Sequence, residues 1–195
     1  MRVLFAAIGI CLSSQVPAAD CAPFRKLLTG HAHRLFGLDA PVPMFAAQIT
    51  QESGCRPGIT AWDNGRGLAQ FMDPTAAQVA RLYPDLGQPQ PYSPTWAIPA
   101  MLRYDGWLHD RVKGDTECDR WAAGLKSYNA GLGYVQRAQR RSPTPGVWFN
   151  ATENINAGQS DKNFDYSRRY PHLILFKHQA RFIAWGAAMC LEPTP

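Results

Sequence analysis

A single carboxylate, Glu52, sits at the end of the stretch FAAQITQES, where Phe45 and Ile49 lie four residues apart and Glu52 three further on. At helical spacing these three side chains share one face, so the sequence places an acid on the side that packs against the core. Burial disfavours the charged carboxylate, and the negative end of a helix dipole penalises an anion in the same way. A glutamic acid kept protonated near neutrality can donate a proton to a leaving oxygen, the first requirement of glycoside cleavage. Periodicity supports a surface Glu that caps a turn equally well. Twelve positions after QESGC follows GLAQF, a glycine-led turn that presents the amide of Gln70.

The other reactive residue types form no comparable constellation. His31-x-His33 is not a helical-face spacing, and none of the five histidines forms an H-x-x-x-H pair. Neither a metal site nor a cofactor is therefore expected. The nucleophile elbow, the phosphate loop and the dinucleotide fingerprint have no counterpart in the chain, which moves esterases, nucleotidases and dehydrogenases out of consideration. Asp63 is the one candidate for a second carboxylate near Glu52. Within AWDNGRG it reads as a turn residue bonding to its own backbone.

The elements that must position these groups read as helices. The segment 41–53 carries Glu52. The segment 73–83 starts with Asp73 as N-cap and Pro74 in the first helical position. A third helix runs over 93–114, with Pro99 kinking its first turn and Gly114 ending it. A fourth covers 116–131, where Cys118, Trp121, Leu125 and Tyr128 recur at helical spacing and Gly131 stops the run. From 141 to 163 Pro, Gly, Asn and Ser dominate, a long loop of the kind that usually carries function. A buried terminal helix over 170–189 follows. The fold class is all-α, a mainly helical single domain with room for a very small β element.

At 195 residues the chain has the length of one domain, and its 46% hydrophobic and 18% charged residues are those of a globular protein. Residues 1–19 read as an export signal: Arg2, the apolar run VLFAAIGICL and small residues up to Ala18 and Ala19. Residues 20–195 then form the domain, and the protein is expected to be periplasmic or extracellular. Removal of the signal takes Cys11 and leaves Cys21, Cys55, Cys118 and Cys190, an even set that suggests two disulfides. Three pairings are open. The favoured one joins Cys21 to Cys190 across the termini and Cys55 to Cys118. The excess of 20 Lys and Arg over 15 Asp and Glu is a net charge of +5, falling to +4 without Arg2, which suits an anionic surface such as a cell wall. The arginines in QRAQRR (136–141) and SRR (167–169) read as solvated helix faces, and no nucleic-acid partner is expected.

Three segments in order, ESGCRP (52–57), GRGLAQFMDPTA (65–76) and SYNAGLGYV (127–135), resemble the successive signatures of the soluble lytic transglycosylase family. That family is the lysozyme-like group with a single catalytic Glu. YSRRY (166–170) is similar to the family's late Tyr motif, and the likeness extends over roughly residues 40–180. It implies a lysozyme-like helical fold, Glu52 as the catalytic acid, and Gln70, Met72, Tyr128, Asn129 and Tyr170 around the sugar. It also implies cleavage of the β-1,4 bond between N-acetylmuramic acid and N-acetylglucosamine to leave 1,6-anhydro ends, with peptidoglycan strands as the partner and a monomeric enzyme. The chain departs from the pattern twice. Ala61 stands where the family usually has a Ser, leaving Thr60, Trp62 or Asp63 to replace its hydroxyl, and Asp73 displaces the Pro of a Met-Pro pair to Pro74. Alternatives are a hydrolysing muramidase or chitinase on the same scaffold, or a wall-binding module without catalysis. A phage lysis enzyme, a hole-maker for a secretion or conjugation apparatus and a wall remodeller fit the sequence equally.

Overall fold

Helix α2 (Val42–Ser53) is the element around which the rest assembles, because it is apolar on every side. Val42, Met44, Phe45, Ala46, Ala47 and Ile49 are all buried, a burial pattern that requires neighbours all round. A computed structural model describes residues 20–191; the expected export signal, with Cys11, lies outside the described residues. Helix α1 (Arg25–Phe36) packs on one flank of α2, and the segment Leu173–Trp185 packs on another. Helices α4 (Pro94–His109) and α5 (Glu117–Ala130) pair with each other, and α5 also receives α6 (Leu132–Arg141) and α7 (Asp161–His172). Helix α3 (Asp73–Leu82) lies against α4. Phe36 stacks on Phe45 at 5.3 Å between ring centroids, and Trp121 meets both edge-on, joining α1, α2 and α5.

The all-α reading holds. The small β element amounts to two isolated bridges, Thr60 to Arg66 and Arg66 to Phe71, in the loop after α2. Helices α2, α3 and α5 fall where local signals put them, although Met72 is the N-cap of α3 and Asp73 its first residue. Thr116 caps α5 by accepting from the Asp119 N–H at 3.1 Å, and Gly131 ends it.

Three boundaries differ. Helix α4 runs continuously through Pro99 but stops at His109, not Gly114. A Cβ at Gly114 would collide with the backbone of Arg120, so this glycine permits the turn into α5 and is not the end of α4. The final helix starts nine residues early, at Asp161, because Ser160 caps it through the Asn163 N–H. Pro171 cannot donate a backbone bond, and the chain beyond it widens into a π turn over Leu173–His178 and then a 3-10 stretch over Gln179–Trp185. Helices α1 and α6 add to the elements named from the sequence, and each turns an apolar stripe inward, Leu28 and Ala32 from α1 and Val135 and Ala138 from α6. The segment between α6 and α7 is tied down: Trp148 is buried, its backbone N–H donates to Asp119 Oδ1, and Glu153 pairs with His172.

Two disulfides are present, with a pairing that corrects the sequence-based choice: Cys21–Cys55 and Cys118–Cys190, with Cα–Cα distances of 5.2 and 5.3 Å. The chain leading into α1 lies across the last turns of α2, so Cys21, 3.5 Å from Thr50 Oγ1, meets Cys55 just beyond that helix. The turn that ends the 3-10 stretch brings Cys190 back to the first turn of α5. Cys55→Ser opens a closure of 34 residues and is expected to cost about 3–4 kcal/mol in urea unfolding, leaving α2 without its clamp. A loss below about 1 kcal/mol would mean that the clamp is idle.

Candidate active site

Glu52 occupies the last turn of α2, which ends at Gly54 in the left-handed conformation. The Gly54 N–H bonds to Thr50 O at 2.9 Å, and Cys55 also has positive φ, so the chain reverses directly over the helix end. The reversal lays the loop 56–72 beside Glu52. Gly67 is essential to its path: φ is +70°, and a Cβ there would enter the Pro91 carbonyl. Glu52 is half-buried in the wall of a cavity of about 200 Å³ formed by this loop, the end of α5 and α7.

Every residue expected at the site reaches this cavity: Gln70 and Met72 from the loop, Tyr128 and Asn129 from α5, and Tyr170 from α7. Met72 is 39% exposed, so it forms the rim and not the core. Gln70 adopts φ of +49° and donates through Nε2 to Gly67 O at 2.7 Å. One amide hydrogen is thereby committed to the loop, leaving Oε1 and the second hydrogen. Tyr128 donates to Ala69 O at 2.7 Å and packs on Tyr104 and Phe71, fastening α5 to the loop.

Tyr170, only 2% exposed, donates its hydroxyl to Glu52 Oε1 in a short hydrogen bond. None of the three neighbours considered for the missing hydroxyl at Ala61 does this. Thr60 Oγ1 pairs with Tyr92 OH at 2.7 Å, Trp62 is 96% exposed, and Asp63 Oδ1 accepts from the Gly65 N–H as a turn residue. Among the described residues the hydroxyl partner of the acid is therefore Tyr170, 118 positions away.

Burial raises the Glu52 carboxyl to a pKa of about 8. The Tyr170 hydrogen bond pulls it down, and the Asp63 charge adds a further upward push. Burial, followed by the Glu52 charge, also holds the Tyr128 and Tyr170 hydroxyls well above the usual tyrosine range. The site therefore holds a neutral carboxylic acid near pH 7, facing open space and backed by a tyrosine hydroxyl.

A second cavity of about 360 Å³ continues the first past Trp62, Asp63, Asn129 and Tyr166, and Gln159, Ser160 and Asn163 line its far end. The two share Trp62, Asp63, Asn129 and Tyr166 and together make one groove lined by amides, hydroxyls and two exposed aromatic faces. Neither Trp62, named in the sequence only as a stand-in at Ala61, nor Tyr166, named only as part of YSRRY, was expected to line the groove. A tryptophan inside a Gly/Asn turn, where a core role is hard to reach, was the signal for the first. Of the long loop 141–163, only its end touches this groove.

Among the described residues no group of three or more His, Cys, Asp or Glu could hold a metal ion. A family model described as Transglycosylase SLT domain matches residues 38–159, well over half of the chain. A search of curated proteins finds no match. The matched span contains Glu52, Gln70, Met72, Tyr128 and Asn129 and ends before Tyr166 and Tyr170.

Proposed function

The chain belongs to the transglycosylase SLT domain family, and from that premise we propose that it cleaves peptidoglycan glycan strands with Glu52 as its single catalytic acid and base. The observation that carries this reading is the neutral Glu52 carboxyl at the wall of the groove, hydrogen-bonded by Tyr170. The carboxyl protonates the oxygen linking C1 of N-acetylmuramic acid to the next N-acetylglucosamine, and the C1–O bond breaks. The 6-hydroxyl of the same muramic residue attacks C1, and its proton passes to the Glu52 carboxylate. One C–O bond is lost and one gained, water is not consumed, and the acid is restored. Intramolecular attack is favoured by its high effective concentration.

A pair of carboxylates facing each other across the bond serves the hydrolytic glycosidases. The second carboxylate in the cavity, Asp63, has an oxygen engaged by the Gly65 N–H 3.2 Å away, which favours its turn role. We further propose that residues 1–19 direct export and that 20–195 act as a monomer in the periplasm or outside the cell. The location of peptidoglycan and the two disulfides support export.

Mass spectrometry of muropeptides released from purified peptidoglycan tests the reading, with Glu52→Gln as control. Anhydro ends released by the wild type alone are expected. Reducing ends, one water heavier, would make the protein a hydrolase and Asp63 its second carboxylate. No release by the wild type from walls of several compositions would leave a wall-binding module.

Trp62→Ala is expected to raise KM for soluble glycan strands about five- to tenfold, the worth of one aromatic stacking face. The melting temperature should be unchanged, because the ring is 96% exposed. Unaltered steady-state kinetics would remove Trp62 from the binding surface.

A further inference from the structure

Beneath Glu52, one helical turn back along α2, lies a polar pair that the cleavage reaction itself does not call upon. Gln48 is fully buried, and Asp105 of α4 is 2% exposed. Gln48 Nε2 donates to Asp105 Oδ1 at 3.1 Å. The other oxygen of each group, Gln48 Oε1 and Asp105 Oδ2, is buried and without a hydrogen-bond partner. Both are acceptors as long as Asp105 is ionised, and leaving two acceptors unpaired in an apolar interior is costly. A proton on Oδ2 turns one of them into a donor toward the other. The amide and the acid then close a ring of two hydrogen bonds.

The structure assigns to Asp105 the role of a protonated positioning residue, paired with Gln48 as an acid–amide ring that keeps a neutral group, not a second anion, beneath the catalytic carboxyl. No salt bridge reaches Asp105 among the described residues. The titratable groups around it are Glu52 on α2, Tyr104 on its own helix, Tyr128 on α5 and Tyr170 on α7, none of them a cation. Burial also holds its carboxyl well above the usual range, Gln48 opposing that and Glu52 adding to it.

The consequence concerns the proton cycle of Glu52, and to that extent it rests on the proposed function. A lone acid must also exist as an anion, for the interval between giving its proton away and taking one back. A fixed anion behind it in a low-dielectric interior would oppose that state. With Asp105 neutral, the anion of Glu52 meets the Tyr170 hydroxyl on one side and no fixed charge on the Asp105 side. Gln48, four residues before Glu52, also fixes that face of α2 against α4.

Infrared difference spectroscopy of the purified protein tests the assignment without reference to activity. In Glu52→Gln, a protonated-carboxyl band is expected at about pH 7 and should persist at about pH 9. It should vanish in Asp105→Asn at about pH 9, where Glu52 itself has largely ionised. Absence of the band in Glu52→Gln would show Asp105 ionised and overturn the assignment, whatever the protein cleaves. In kinetics, Asp105→Asn replaces the ring by an amide–amide pair of the same charge. The high-pH fall in kcat/KM should then stay within about 0.3 pH of wild type. A fall displaced to lower pH by about one or more would mean that a negative charge had been removed, and would also overturn it. Failure of the wild type to cleave any wall would count against the proposed function and leave the infrared result to stand alone.

Discussion

Glu52→Gln is expected to lower glycan cleavage about 10³- to 10⁴-fold while making the folded protein more stable at alkaline pH. The amide can neither donate the proton to the leaving oxygen nor accept one from the 6-hydroxyl, so both halves of the reaction lose their catalyst. The stability gain follows from linkage. An unfolded Glu loses its proton near 4.5, whereas folded Glu52 keeps it to about 8. Between these values the native state binds the extra proton, so stability falls as pH rises; the penalty is complete above about 8 and absent below about 4.5. Glutamine carries no such penalty. Allowing for screening by solvent at a half-buried group, the variant should gain about 2–3 kcal/mol over wild type at about pH 9, and much less at about pH 5. Urea unfolding at the two pH values measures this. A variant no more stable than wild type at high pH would show the carboxyl to be solvated, and the acid assignment would lose its basis. In the wild type, kcat/KM should fall tenfold per pH unit above about 8.

Tyr170→Phe keeps a buried ring in place and removes the hydroxyl donated to Glu52 Oε1. That bond favours the charged carboxyl, so its loss should carry the Glu52 pKa above about 8. The alkaline fall in kcat/KM then moves to higher pH, opposite to the direction expected from losing a positive neighbour's opposite, a negative charge such as Asp63. Cleavage should also slow about 10- to 100-fold, because the carboxylate formed on proton transfer has lost its hydrogen-bond donor. The fold should lose only about 1 kcal/mol. A pH profile unmoved, with a rate within about twofold of wild type, would reduce Tyr170 to a packing residue.

Much of the site was legible in the sequence because its signals are short-range. The three-residue step from Ile49 to Glu52 sets the acid at helical spacing from core residues, although the same spacing also fits a surface Glu that caps a turn. The glycines of GRGLAQF announce a close-packed turn, and Gly67 is pressed against Pro91 as such a turn requires. Thr116 and Gly131 bound α5 by capping chemistry contained within a few residues. Two disulfides are suggested by the four cysteines that lie outside residues 1–19. Helices α1 and α6 carry an apolar stripe of their own, Leu28 and Ala32 in one and Val135 and Ala138 in the other, but neither is among the elements named from the sequence.

The chain by itself thus determined a helical fold and an acid at helical spacing from core residues, through spacing and backbone preference, while the residues around that acid were implied by the resemblance of its ordered motifs. Tertiary structure alone decided which cysteines meet, because pairing depends on the chain before α1 crossing the end of α2 and on the tail returning to α5. It alone decided that Tyr170, not a neighbour of Ala61, bonds to Glu52, and that Gln48 meets Asp105 across 57 positions. Such contacts arise from how helices dock over a shared apolar surface, and docking is set by the summed shape of many side chains. No local pattern in the chain encodes that sum.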